Sequence, residues 1–257
     1  MSQKEILGIR YTDTTIPEAA QAVLAMAEGH RARYVVTPNP EISEQCGKNP
    51  ALREAVRHAD MAVPDGIGVV IASRILGDPL SGRVGGFDMA VTMLPLICKR
   101  GMSLYLLGAQ PGVADAAAEN IRRQYPGIRI AGTHHGYFQE DTEVLAEVNR
   151  ARPDVLFVAL GSPRQELWMY QNRPNLDVGV MMGLGGSLDI LSGRAQRAPQ
   201  FFIDHHLEWF YRLIRQPWRL IRMLALPRYV LRACAARLHG PKADKPDQKA
   251  DRPGPNP

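Results

Sequence analysis

Residues 154–171 read DVLFVALGSPRQELWMYQ. The run Val155–Leu160 is apolar throughout, too short for a buried helix and rich in β-branched and aromatic side chains, so it reads as a strand covered on both faces. Gly161-Ser-Pro-Arg164 ends it. Pro163 suits the first turn of a helix, where no backbone donor is required, and helical spacing follows over 164–171. Strand, turn and helix make one βα unit. The same pattern recurs at Leu104–Leu107, where Gly108-Ala-Gln-Pro111-Gly leads into a helix over 113–124. Tyr34–Thr37, Met61–Val63, Ile128–Gly132 and Val178–Met182 are the remaining strand candidates. Continuous apolar strands alternating with helices predict an α/β fold: a Rossmann-like parallel sheet flanked by helices. No internal repeat is present.

In such a sheet, ligands sit at the carboxyl ends of the strands. The polar and glycine-rich loops fall there: Thr37-Pro-Asn39, Pro64-Asp65-Gly66, Gly161 to Glu166, and Gly183-Leu-Gly-Gly-Ser-Leu-Asp189. Asp65 is either a turn or capping aspartate or a general base, since a carboxylate partly desolvated at a strand tip can take a proton from a hydroxyl. Arg83, in GRVGGFDM, is either a surface arginine, one paired with Asp88, or one that holds a diphosphate through two oxygens. The segment 161–166 is either an ordinary turn or a phosphate-favouring helix start. GLGGSLD departs from the G-x-G-x-x-G fingerprint, because Leu188 stands where the third glycine belongs. Asp189 then either caps a turn or bonds a ribose or base. Adjacent histidines at 134–135 and 205–206 point in different directions, and no carboxylate or cysteine cluster completes a metal site around them. There is no Asp-x-Asp pair to hold a divalent ion against a diphosphate.

The 257 residues are 45% hydrophobic, enough for one large core. Cys46, Cys98 and Cys234 have neither metal nor redox spacing and read as reduced thiols in a cytosolic protein. Met1–Arg10 is polar and is not expected to act as a signal peptide. No run reaches the roughly 18 to 20 apolar residues of a membrane span. Charge is uneven. Residues 205–239 hold seven Arg, no Lys and one Glu, a charge of +6, whereas the whole chain is +5. The body before them is therefore mildly acidic. Arg212, Arg215, Arg219 and Arg222 recur at three- and four-residue intervals on one helical face, among Phe210, Leu213, Ile214, Leu220, Ile221 and Leu224. This is a basic amphipathic appendage suited to an anionic membrane or a phosphorylated ligand. The division expected is an α/β core over 1–203, the arginine-rich appendage over 204–239, and a Pro-, Lys- and Asp-rich disordered tail over 240–257.

Seven segments, in this order, resemble the WecG/TagA/CpsF glycosyltransferase family. They are TPNPE (37–41), ADMAVPDGIGVV (59–70), RVGGFDM (83–89), LYLLGAQPG (104–112), ALGSPRQE (159–166), GLGGSLDILSGRAQRAP (183–199) and EWFYRLIRQPWRLIR (208–222). The resemblance implies an inverting enzyme of the GT-E type, peripheral to the cytoplasmic face of the cell membrane, that works without a metal or cofactor. It would move N-acetylmannosamine from a UDP donor to an undecaprenyl-diphosphate-linked N-acetylglucosamine, in cell-surface polysaccharide synthesis. Carried over residue by residue, Asp65 is the catalytic base; Thr37, Asn39 and Gln165 line the sugar site; Arg83 meets phosphate; Asp189 contacts the uridine. Arg212, Arg219 and Arg222 complete the site over the diphosphate. On this reading, removing residues from about 203 onward abolishes turnover and leaves a folded core.

Other readings make different demands. A different UDP-hexose donor, such as UDP-glucose, fits the same motifs. An NAD-dependent oxidoreductase requires an intact glycine fingerprint and an acid about 20 residues later. A nucleic-acid-binding protein requires basic contacts spread over the body, which is net negative, so no nucleic-acid partner is expected. Self-association would cover the apolar face of the appendage.

Overall fold

The computed structural model describes residues 1–205, 207–215 and 224–239. Eight strands are found there: β1 (Ser2–Ile6), β2 (Ile9–Asp13), β3 (Arg33–Val36), β4 (Met61–Ala62), β5 (Ser103–Gly108), β6 (Arg129–His134), β7 (Val155–Ala159) and β8 (Val180–Gly183). The helices that cover them are α1 (Ile16–Ala27), α2 (Pro40–Cys46), α3 (Pro50–Arg57), α4 (Ile67–Leu76), α5 (Gly86–Lys99), α6 (Val113–Gln124), α7 (Asp141–Ala151) and α8 (Arg164–Asn172). Four more follow the last strand: α9 (Ser187–Leu191), α10 (Gln200–Asp204), α11 (Glu208–Arg215) and α12 (Ala225–His239).

Six strands form one parallel sheet in the order β4-β3-β8-β7-β5-β6. Every residue of β5, β7 and β8 is buried. Period-2 alternation sends neighbours to opposite faces. Leu104 and Leu106 join Val155 and Phe157 in one core with α1, α5 and α6; Tyr105 and Leu107 join Leu156 and Val158 in the other, with α3, α7 and α8. The α/β expectation therefore holds, and all six expected strands are present. Pro163 and Pro111 differ from expectation by a position or two: Pro163 is the N-cap of α8 and Pro111 precedes Gly112, the N-cap of α6. Both stand just outside the first turn, where a missing donor is equally harmless.

The polar N-terminal run contains a hairpin that the sequence does not announce. β1 and β2 pair antiparallel from Ser2↔Asp13 to Ile6↔Ile9. Leu7 (φ +52°) and Gly8 (φ +86°) make the turn, and Ile6, Ile9 and Tyr11 enter the second core.

The appendage is described in two parts. Helix α11 carries Arg212 and Arg215; Arg219 and Arg222 lie outside the described residues, as do the side chain of Arg212, His206 and the tail from Gly240. Helix α12 lies against α2 and α4. Its Tyr229 and Ala233 are fully buried and belong to the second core, Arg232 pairs with Glu44 at 2.7 Å, and Arg237 donates to Leu76 O at 3.4 Å.

Candidate active site

Sheet order decides which loops meet. β4, β3, β8 and β7 are consecutive neighbours, and the four loops singled out in the sequence follow these four strands. All strands run the same way, so the loops emerge side by side at one edge.

The first two loops interlock. Asp65 N donates to Pro38 O at 3.3 Å and Val84 N donates to Pro64 O at 2.8 Å, which ties 37–39, 64–66 and 83–86 together. Thr37, 7% exposed, packs on the start of α5: a side-chain carbon on Gly86 would stand 3.2 Å from Thr37 Cγ2. That is tighter than most side-chain contacts, so a larger residue at 86 would press on Thr37. Asn39 is the N-cap of α2, its Oδ1 accepting from Ile42 N at 2.9 Å. Its carboxamide NH2 is the half that retains donors for a ligand.

Asp65 sits at the tip of β4 with 30% of its side chain accessible. Its Oδ1 lies 3.4 Å from Arg83 Nε, and its Oδ2 accepts from Gly86 N at 3.4 Å. The carboxylate is therefore neither sealed in the core nor a cap of the helix that follows it. It faces a guanidinium and the amide of the first residue of α5, at the positive end of that helix.

Arg83 is the hub. Besides Asp65 it reaches Asp88 Oδ2 from Nη2 at 3.5 Å and Glu208 Oε2 from Nη1 at 2.5 Å. Burial works against its charge, but Asp65, Glu208 and Asp88 outweigh burial and hold the guanidinium above its ordinary value. Asp88 also pairs with Arg197, whose guanidinium lies 4.9 Å from the centre of the Phe87 ring. Among the described residues, three acids thus share these two arginines. Arg83 does pair with Asp88, but that contact is one of three.

The other two loops are joined by Gln165. It is 3% exposed; its Oε1 accepts from Gly185 N at 2.9 Å and its Nε2 donates to Glu166 Oε1 at 2.7 Å. The Gln165 backbone N–H bonds to Gly161 O at 2.8 Å, so this amide of the helix start is already used. Arg164 turns away, to Gly136 O at 2.5 Å and Phe138 O at 3.0 Å. Asp189 is half-buried in the first turn of α9, and its carbonyl accepts from Ala195 N at 2.8 Å. That bond starts the return of the chain to Arg197 and Asp88.

Sequence reasoning missed Glu208, Arg197 and Glu166 as members of the site. Glu208 had a visible signal, as the lone acid in an arginine-rich run. Arg197 and Glu166 stand inside the segments that carry the resemblance, but nothing local marks them as charged partners. Among the described residues, no three His, Cys, Asp or Glu side chains gather as a metal ligand set, and no helix is long and apolar enough to cross a membrane.

Comparison with known proteins assigns the family. The sequence profile of the family described as "Glycosyl transferase WecG/TagA/CpsF family" matches residues 4–243. A protein of Bacillus spizizenii, named N-acetylglucosaminyldiphosphoundecaprenol N-acetyl-beta-D-mannosaminyltransferase, is 40% identical over 231 residues, covering 90% of each chain. A protein of the same name from Bacillus subtilis is 41% identical over 197 residues, 77% of each chain. One from Staphylococcus aureus is 32% identical over 236 residues, 91% of this chain and 92% of its own. The profile spans the sheet, all four loops and both described helices of the appendage, and the chain belongs to the WecG/TagA/CpsF family of glycosyltransferases.

Proposed function

We propose that this enzyme transfers N-acetylmannosamine from UDP-N-acetylmannosamine to undecaprenyl-diphosphate-linked N-acetylglucosamine, working at the inner face of the cell membrane. The observation that carries the reading is the accessible Asp65 carboxylate at the tip of β4, 3.4 Å from Arg83, in a chain whose relatives bear that activity in their names.

The reaction is a single in-line displacement. Asp65 takes the proton of the acceptor hydroxyl while that oxygen forms a bond to the anomeric carbon. The bond from the anomeric carbon to the donor phosphate oxygen breaks, and UDP leaves with the electron pair, which inverts the centre. Thr37, Asn39 and Gln165 hold the sugar, Asp189 holds the uridine, and Arg83 meets the diphosphate. Among the described residues, Arg83 and Arg197 are already paired with Asp65, Asp88 and Glu208. A diphosphate bound beside these acids calls for further cations. Arg212, Arg219 and Arg222 supply them, acting where charge builds up in the transition state, and no metal is required. The same arginines and the exposed Phe210 and Ile214 favour an anionic leaflet, each basic residue contributing about 1 kcal/mol there.

The test is a screen of UDP-sugars with a soluble N-acetylglucosaminyl-diphosphate-lipid analogue, with and without chelator. Transfer from UDP-N-acetylmannosamine, unaffected by chelator, is the expected result. Preference for UDP-glucose would reassign the donor, and loss of transfer with chelator would overturn the metal-free mechanism.

A further inference from the structure

Gln165 and Glu166 are adjacent, polar and buried, with 3% and 0% of their surface exposed. Their hydrogen bonds fix how the Gln165 amide is turned. The Gly185 N–H can only donate, so the Gln165 atom facing it at 2.9 Å is the carbonyl oxygen. The NH2 half then faces Glu166 Oε1, at 2.7 Å. Turned the other way, the amide would set N–H against N–H and oxygen against carboxylate. Space is tight as well: a side-chain carbon on Gly183 would stand 3.0 Å from Gln165 Nε2 and 3.2 Å from Met169 Cε. Gly185, in the middle of the 183–189 loop, is thus held by the Gln165 amide, between Leu184, whose N–H bonds to Val158 O at 2.8 Å, and Ser187, whose N–H bonds to Leu184 O at 3.1 Å; the amide in turn is held by the Glu166 carboxyl.

The carboxyl is a costly way to fill this space. Burial pushes Glu166 above the ordinary carboxylate range, against the pull of Gln165, its own backbone N–H and the Ser162 hydroxyl. Its Oε2 is buried and, among the described residues, has no hydrogen-bond partner. A methionine would occupy the volume without burying an ionisable group. Packing alone does not call for an acid here; an acceptor does, and the closest donor it meets is the Gln165 amide at 2.7 Å.

We infer that Glu166 is a positioning residue for the donor nucleotide: it orients the Gln165 amide, and that amide, through the Gly185 N–H, shapes the loop that presents Asp189. The inference rests on the reading of Asp189 as the uridine contact. Glu166 itself touches no substrate.

The experiment uses the full chain. E166M keeps the volume and removes the acceptor; E166Q keeps an acceptor oxygen. UDP affinity is measured by titration calorimetry and kcat separately. E166M is expected to bind UDP about 10-fold more weakly, the scale of one unmet buried hydrogen bond, with E166Q within about 3-fold of the parent on the same scale. Parental UDP affinity in folded E166M would overturn the inference, as would an equal loss in both variants. If E166M does not fold, amide hydrogen exchange in the parent decides. The Gly185 amide should exchange far more slowly than the Gly186 amide beside it, and equal rates would overturn the proposed hold. A parent that does not bind UDP would contradict the functional reading instead, and the exchange measurement would still report on the loop.

Discussion

Arg83 Nη1 and Glu208 Oε2 meet at 2.5 Å, with side chains only 16% and 13% exposed. This pair joins the first turn of α11, and so the arginine-rich segment, to the arginine that also faces Asp65. Being largely shielded from solvent, it is screened less by salt than a surface pair. It is also where the appendage meets the arginine beside Asp65.

E208Q weakens that tether and removes one of three acids around Arg83. A charge-assisted hydrogen bond of this kind contributes about 1.5–3 kcal/mol. Trypsin should therefore cut at Arg212 and Arg215 faster in E208Q than in the parent, and kcat on a lipid acceptor should fall. Unchanged cleavage would mean that the pair does not hold α11.

Tyr229 anchors α12 in the second core, fully buried beside Tyr11 and Ser43. Y229A should lower unfolding stability by about 3–5 kcal/mol, the range for removing a buried aromatic ring, as read by urea denaturation. A loss below about 1 kcal/mol would show that α12 is dispensable to the fold. Because α12 shares this core with the α/β body, a cut near residue 203 uncovers apolar surface, and substitution of the arginines is the cleaner test of the appendage.

Replacing Arg212, Arg219 and Arg222 together by alanine should leave the thermal transition in place, lower kcat by at least about 100-fold and weaken binding to anionic vesicles by about 3 kcal/mol. Parental turnover in that variant would remove the appendage from the mechanism.

Asp154 provides a pH-dependent test of the fold. Burial tends to raise its pKa, but the Ser103 backbone N–H, the Ser103 hydroxyl and His30 outweigh burial and hold it below the ordinary carboxylate value. A carboxylate depressed in the folded state stabilises fully above its unfolded value, about 3.9, and loses that contribution as pH falls through the folded value. D154N should be less stable than the parent at neutral pH, with the gap closing below about pH 4. A gap that persists into acid would assign the loss to shape rather than charge.

The sheet was legible because its strands are covered on both faces: Val155–Ala159 and Ser103–Gly108 have no polar alternation to confuse the reading. The β1–β2 hairpin was not, since Ile6, Ile9 and Tyr11 are its only buried hydrophobic residues and the turn is Leu-Gly rather than Asn-Gly. Asp65 and Arg83 stood out through the turns around them. That their loops lie side by side follows from strand order, a non-local property that no single segment carries. The Gln165 motif was visible, but its burial against Glu166 and Gly185 depends on packing between two strands distant in sequence.

The central claim is that Asp65 is the base in a sugar transfer that releases UDP. The most direct measurement compares kcat and UDP affinity of the parent and D65N with UDP-N-acetylmannosamine and the soluble lipid-diphosphate acceptor. The account predicts kcat lower by about 100- to 10,000-fold in D65N, the usual contribution of a general base, with UDP affinity nearly unchanged. Turnover by D65N close to that of the parent would contradict it.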